Sequence, residues 1–292
     1  MNIPFGWLIA LSSALFGFIW LGGHIEQLWV PQEYLIIFGA ALGALIAGNK
    51  LRNLRNLGRA LSTIFTNKGH SKQANLALLC LMFELLQKMK RDGALSLESD
   101  IDSPQSSSIF AKYPSVLKNQ RLLEFITDYF RMMLDGSVTL AQLETVMSQE
   151  IEVMHQESLE PSQSMTTLAD SLPAFGIVAA IVGVVHTLST ISAGKSPGEI
   201  GAMIGSALIG TLLGVFSAYA VFAPISRTLE QKADEDLRPF EAIKEILVAN
   251  YSNFSPVTAV EYGRKVLYSD QRPSMLELEA GVQATTGAGL RG

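Results

Sequence analysis

The sequence of 292 residues and 31.7 kDa has room for one or two domains, and 48% hydrophobic against 17% charged residues, with a mean hydropathy of +0.27, narrows its class. Soluble domains carry about 25% charged residues, and 22 Lys and Arg against 27 Asp and Glu leave no basic surplus to neutralise phosphates, which argues against a secreted, disordered or nucleic-acid-binding protein. A single cysteine, Cys80, excludes an intrachain disulfide and a multi-cysteine metal cage. These features describe an integral membrane protein with a sizeable aqueous part.

Residues 1–25, 34–49, 171–194 and 200–226 contain no Asp, Glu, Lys or Arg. A helix needs about 20 apolar residues to cross the hydrocarbon of a bilayer. The first, third and fourth windows meet that length; the second is short, and Trp29, Val30 and Pro31 extend it toward the interface. The first window has no basic residue before its apolar run and no small-residue cleavage site after it, so it is predicted to stay as an anchor rather than act as a signal peptide. All Lys and Arg except Lys195 lie between Lys50 and Asp170 or from Arg227 onward. Lys50, Arg52, Arg55 and Arg59 directly follow span two, and Arg227 and Lys232 follow span four. The positive-inside rule then predicts a cytoplasmic middle segment and cytoplasmic termini, with the turns at 22–33 and 192–199 facing outward.

The aqueous part reads as helical. Leu76, Leu79, Phe83 and Leu86 form one apolar stripe, and Leu122, Phe125, Ile126, Tyr129 and Met133 form another. Leu140, Leu143, Met147, Ile151 and Met154 repeat the pattern. Leu229, Ala233, Leu237, Phe240, Ile243 and Leu247 continue it behind span four, which predicts one long helix to about Asn250. No run alternates with period two, so no β-sheet is predicted. The tail from Thr285 onward is rich in Gly, Ala and Thr and reads as disordered. The boundaries that follow are membrane helices at 1–49, a cytoplasmic helical domain at 50–170, membrane helices at 171–226, and a helical extension with its tail at 227–292. The predicted fold class is an all-α integral membrane protein with four transmembrane helices and a large helical cytoplasmic domain.

No phosphate-binding loop, dinucleotide fingerprint, zinc-helix motif or nucleophile elbow occurs, so the chain does not read as an enzyme, and no cofactor is predicted. His24, His70, His155 and His186 are too dispersed to propose as a ligand set. Carriers usually place an ionisable group inside the bilayer, yet no Asp or Glu lies within the four windows, and His186 is the only titratable imidazole in spans three and four. A proton path would therefore take its carboxylate from another chain. Small residues recur at helix-packing spacing: Gly39, Gly43 and Ala47 in span two, Gly176 and Ala180 in span three, and Gly210, Gly214 and Ala218 in span four. For span two, packing within the chain is the expectation; spans three and four are expected to pack around another helix or neighbouring copies. Pro173 opens span three, and Pro224 falls near the end of span four, where it removes a backbone bond from a helix that continues.

Several stretches resemble the MotA/PomA family of flagellar motor stator subunits: Asp170-Ser-Leu-Pro-Ala-Phe-Gly-Ile-Val-Ala-Ala180, Ile209-Gly-Thr-Leu-Leu-Gly214 through Ala223-Pro224, and Val260-Glu-Tyr-Gly-Arg-Lys265 through Arg272-Pro-Ser274. Leu95-Ser-Leu-Glu98 and Ile109-Phe-Ala-Lys-Tyr-Pro114 add to the likeness, which runs from Met1 to about Glu279. The resemblance implies a multi-pass protein of the bacterial inner membrane, surrounded by lipid. It implies a ring of five such chains around two copies of a single-span B subunit of the MotB type, which anchors to peptidoglycan and supplies the ion-binding aspartate. It further implies that ion flow turns the ring against the rotor protein FliG, that Pro173 and Pro224 couple ion binding to movement, and that Lys90, Arg91 and Glu98 are the rotor-facing charges. An energy-transducer subunit of the ExbB/TolQ type, a non-conducting scaffold and a lone carrier are the competing readings.

The same resemblance bears on the ion. Sodium-driven members carry a threonine where Ala180 stands, whereas Thr211 is shared by both ion types. Pro173 to Gly183 offers no side-chain hydroxyl. A dehydrated Na⁺ needs several oxygen ligands, so H⁺ is the predicted ion, with Na⁺ the alternative because carbonyls freed near Pro173 can also act as ligands.

Overall fold

The computed structural model describes residues 3–66, 71–190 and 195–286. In chain order its helices are α1 (Ile3–Trp20), α2 (Pro31–Gly48), α3 (Leu51–Thr66), α4 (Lys72–Asp92), α5 (Glu98–Asp102), α6 (Pro114–Leu117), α7 (Gln120–Leu134), α8 (Leu140–Thr190), α9 (Pro197–Phe216), α10 (Ala223–Tyr251), α11 (Pro256–Val266) and α12 (Met275–Thr286). Short 3₁₀ turns join several of them, and a six-residue π-helical segment, Ser217–Phe222, joins α9 to α10. No strand occurs among the described residues. Among the described residues, four helical stretches are long and apolar enough to cross a membrane, beginning at Ile3, Ile25, Leu140 and Pro197.

The chain forms two compact units, residues 1–68 with 158–231, and residues 69–157 with 232–292. These divisions differ from boundaries drawn at the edges of the charge-free windows. The reason in the first unit is α3, which is amphipathic. Leu57 and Ile64 are buried in one apolar core with Ile37 and Ala41 of α2, Met165, Leu168 and Leu172 of α8, and Ile225 and Leu229 of α10, while Arg52, Arg55 and Arg59 of α3 are exposed. The segment behind span two therefore packs with the apolar helices instead of with the aqueous part.

In the second unit α4 is the central helix. The sequence predicts one apolar stripe there, but every residue from Leu78 to Leu86 is buried, because α11 and α12 and the loops around α5 and α6 cover its other sides. The stripes of α7 and α8 lie in the same core, with Phe125 packed edge-on to Phe240 of α10 at 5.3 Å between ring centroids. Burying α4 on all sides requires partners for Glu84. Its carboxylate accepts hydrogen bonds from the Tyr113 hydroxyl at 2.6 Å and Lys112 Nζ at 2.7 Å. Burial pushes the Cys80 thiol up to about 11, and Gly281 of α12 lies so close that a Cβ there would stand 2.8 Å from Cys80 Sγ. The Lys72–Glu277 pair ties the same two helices at 2.7 Å, and with the Ser274 hydrogen bonds it holds the Glu277 carboxyl down at about 2.

The stretch from Val260 to Ser274 owes its composition to this packing. A Cβ on Gly263 would lie 2.6 Å from the Ala242 carbonyl oxygen and 2.5 Å from Ile246 Cγ1, so α11 approaches α10 backbone to backbone. Buried Arg264 is held by Glu261 at 2.6 Å and donates to the Pro273 carbonyl at 2.8 Å, while Arg272 Nη2 donates to the Leu267 carbonyl at 2.8 Å. Helix α12 runs to Thr286, so the segment read as disordered from Thr285 begins with helix, and its remaining residues, 287–292, lie outside the described residues. His70 and residues 191–194 of the predicted outer turn also lie outside them.

Candidate functional site

The small residues of α8 and α9 are used within the chain. A Cβ on Gly214 would lie 2.6 Å from the Leu172 carbonyl oxygen and 2.9 Å from Gly176 Cα, and one on Gly176 would lie 2.9 Å from the Gly210 carbonyl oxygen. Gly176, Gly210 and Gly214 thus let two helix backbones touch, and Thr211 Cα, 3.3 Å from the same Gly176 position, lies at the seam. The large apolar residues point the other way: Ile177, Val178, Ile181 and Val182 of α8 and Leu208, Leu212 and Val215 of α9 are exposed. The expectation for span two is reversed as well. Gly39 and Gly43 meet nothing within 4 Å, and Ala47 is exposed, so that face is open on the chain itself. Spacing identifies a face where backbones can approach; it does not name the neighbour.

Ala180 and Thr211 are half-buried, as are Pro173 and Pro224. Pro173 lies one turn before Gly176 on α8, next to Leu172, whose carbonyl meets Gly214. Pro224 is the second residue of α10, one residue beyond the π-helical Ser217–Phe222. Proline has no N–H for the carbonyl four residues earlier, and a shift to i→i+5 bonding ahead of it absorbs the mismatch while the helix continues to Tyr251. Beside this point, buried Ser226 donates to the Ser162 carbonyl at 2.9 Å and lies 2.6 Å from Thr166 Oγ1, which fastens α10 to α8.

Glu33 lies inside α2, which starts at Pro31 rather than at the first residue of the charge-free window. It is 7% exposed, and its Oε2 has no hydrogen-bond partner. The correction to an acid-free membrane part is therefore specific: a carboxyl stands within the second apolar helix. The legible signal was Pro31, a residue favoured at the first helical position, which puts Glu33 in the first turn.

In the second unit Lys90 and Arg91 form the last turn of α4, and Glu98 opens α5. Gly93, with φ of +88°, ends α4 in a backbone conformation open to glycine, and Leu97 is fully buried, so the intervening segment is pinned to the core. Asp100 anchors the far side, accepting from Lys88 Nζ at 2.5 Å and from Ser107 Oγ at 2.6 Å. Lys90, Arg91 and Glu98 are all exposed on this rigid edge. Arg91 is engaged by its neighbour: its Nε donates to Asp92 Oδ1 at 2.8 Å and its Nη2 to Oδ2 at 2.7 Å, which holds the Asp92 carboxyl below its ordinary value. Among the described residues no ion pair engages Lys90 or Glu98. His155 Nε2 lies 3.0 Å from Asp234 Oδ1, and His186 is exposed.

Residues 4–93 match the model of the motility protein A N-terminal region, and residues 118–242 match that of the MotA/TolQ/ExbB proton channel family. Motility protein A of Salmonella typhimurium and that of Escherichia coli K12 are each 39% identical to the chain over 284 residues, covering 97% of it and 96% of the relative. The chain belongs to the motility protein A family. Chemotaxis protein LafT of Vibrio parahaemolyticus is 34% identical, over 94% of the chain and 95% of its own length. The fold is that of chains in two solved MotAB structures. The C. jejuni MotAB structure aligns with a TM-score of 0.73 at 21% identity, covering 94% of this chain and 98% of that one. The flagellar MotAB stator complex from Bacillus subtilis aligns at 0.71 and 20%, covering 93% and 98%. Within the chain, the proton-channel match contains Pro173, Ala180, Thr211, Pro224 and the three packed glycines; the N-terminal match contains Glu33, Lys90 and Arg91; Glu98 falls between the two.

Proposed function

We propose that the chain is the A subunit of a flagellar stator, which conducts protons across the bacterial inner membrane together with a B-type subunit and turns that flow into rotation of the rotor. The observation that carries this reading is the motility protein A N-terminal region followed in one chain by the proton-channel domain, with relatives matched over nearly its whole length. The N-terminal match also separates it from the ExbB/TolQ-type transducers that share the channel domain. On this reading four helices cross the membrane, both termini are cytoplasmic, and five copies surround two B subunits. The exposed Ile, Val and Leu face of α8 and α9 meets those neighbours and lipid, while the glycine seam beneath it keeps each pair of spans rigid. Complementation of a stator-deleted strain with the chain and its cognate B subunit tests the reading. Swimming should be restored, should persist in sodium-free medium and should stop on addition of a protonophore. Speed that tracked external Na⁺ at constant proton-motive force would select the sodium alternative.

Coupling is assigned to Pro173 and Pro224, and the π-helical turn beside Pro224 supports a compliant point at the base of span four. Pro224→Ala restores the missing N–H and should draw Ser217–Phe222 toward regular α-helix. Swimming speed and torque are expected to fall severalfold while recovery of the complex with the B subunit stays unchanged. Wild-type torque in this variant would remove Pro224 from the coupling path.

A further inference from the structure

Glu33 of α2 occupies a gap built from the smallest residues of two other helices, α8 and α9. A Cβ on Gly210 would lie 2.5 Å from Glu33 Oε2 and 3.2 Å from its carboxyl carbon, and a Cβ on Gly183 would lie 3.2 Å from Oε1. Ala207 and Ala179, both fully buried, complete the wall: the Gly183 position is 2.7 Å from Ala207 Cβ, and the Gly210 position is 3.2 Å from Ala179 Cβ. Each of the two glycines facing Glu33 leaves out the atom that would displace the carboxyl. Gly183 lies seven residues before the end of α8 at Thr190, which at 1.5 Å per residue sets the carboxyl about 10 Å inside that end.

This environment favours a neutral acid. Oε2 is buried without a hydrogen bond, and no Lys or Arg occurs in α2, in α9 or in α8 after Asp170. An ionised carboxylate there would lack both hydrogen bonding at one oxygen and a counter-charge. The titratable groups on the packed elements are exposed or hydrogen-bonded elsewhere. His186 is exposed one turn beyond Gly183, Glu199 is exposed at the start of α9, and Glu26 is exposed on the 3₁₀ turn before α2; Tyr34 donates its hydroxyl to the Leu28 carbonyl. An acid kept for packing alone would be replaceable by a neutral side chain. What distinguishes this one is its place, for Gly210 directly precedes Thr211 and Gly183 is one turn beyond Ala180.

We propose that Glu33 is a protonatable station of the ion route inside this chain, holding a proton as a neutral carboxylic acid between α2, α8 and α9 and passing it to the carboxylate of the partner helix. The inference rests on the stator reading above. The proton leaves the Glu33 carboxyl for the partner's carboxylate, which becomes the neutral acid; a hydronium ion from the outer side then returns a proton to Glu33.

The test uses the complete complex of this chain with its B subunit. Glu33→Gln keeps the shape of the neutral acid but cannot release a proton, whereas Glu33→Asp retains titration. Glu33→Gln should assemble normally and lower swimming speed at least fivefold. Glu33→Asp should swim at intermediate speed, with the pH profile of its speed displaced from that of the unmodified complex. Infrared spectra of the reconstituted complex should show a protonated-carboxyl band at pH 7 that shifts in Glu33→Asp. Wild-type speed in Glu33→Gln, with protonophore sensitivity intact, overturns the station and leaves the stator reading standing. Protonophore-insensitive swimming of the unmodified complex would instead remove proton coupling, and failure of the unmodified complex to restore swimming would remove the stator reading itself. Should Glu33→Gln fail to assemble, the infrared band decides, and its absence from the difference between the unmodified and Glu33→Asp complexes overturns the proposal.

Discussion

Gly214→Leu should collapse the complex while leaving the chain able to insert in the membrane. At this position the first added carbon already meets the Leu172 carbonyl oxygen at 2.6 Å and Gly176 Cα at 2.9 Å. Both obstacles are backbone, so neither can rotate away as a side chain would. Overpacking a core costs about 1–3 kcal/mol where neighbours can adjust, and here α8 and α9 must separate, which sets the cost at or above the upper end. About 3 kcal/mol corresponds to a ~100-fold loss of the correctly packed form. Thermal melting of the purified chain in detergent should fall clearly, and recovery with the B subunit should drop to background. Gly39→Leu is the control. Gly39 meets nothing within 4 Å, so the melting of the isolated chain should not change, and any defect confined to the assembled complex would locate a neighbouring copy or partner on that open face. A Gly214→Leu chain that melts and co-purifies like the unmodified one would disprove the tight seam between the two helices.

Reversal of Lys90, Arg91 and Glu98 together should stop rotation without loss of assembly. The three charges stand exposed on a segment fixed at Leu97 and Asp100, so reversing them changes the surface and leaves the core of the unit untouched. We propose that this edge is the rotor contact; exposed ion pairs contribute about 0–1 kcal/mol each, so one neutralisation is expected to slow swimming mildly, whereas on this reading opposing three charges at once turns attraction into repulsion. The Arg91–Asp92 pair makes the single reversals unequal. Arg91 already faces a carboxylate of its own chain at 2.7 Å, while Lys90 has no such partner among the described residues, so Lys90→Glu should reduce speed more than Arg91→Glu. Compensating reversals on FliG should restore rotation to the triple variant. Failure of every such pairing, with assembly intact, would make the edge an ordinary solvated loop.

Much of this molecule is determined by its sequence alone. The charge-free windows 1–25, 171–194 and 200–226 locate apolar helices because a bilayer tolerates few charges over that length, and the helical stripes of α7, α8 and α10 are buried where periodicity puts them. The stretches around Asp170–Ala180 and Ile209–Pro224 carry the family resemblance without any coordinates. The tertiary structure decided which neighbour each face meets. Gly176 and Gly214 have the same spacing signature as Gly39 and Gly43, yet the first pair touches within the chain and the second faces open space, since the period of a helix specifies a face and says nothing of its occupant. Helix α4 shows an apolar stripe but is covered on all sides, with Glu84 tolerated because Lys112 and Tyr113 arrive from a distant loop. The burial of Glu33 depends on gaps at Gly183 and Gly210, far along the chain, and no local pattern around residue 33 reports that two other helices lack a side chain there. Local propensity sets where helices run, but whether a charge sits in water or in a dry gap depends on what long-range packing brings beside it.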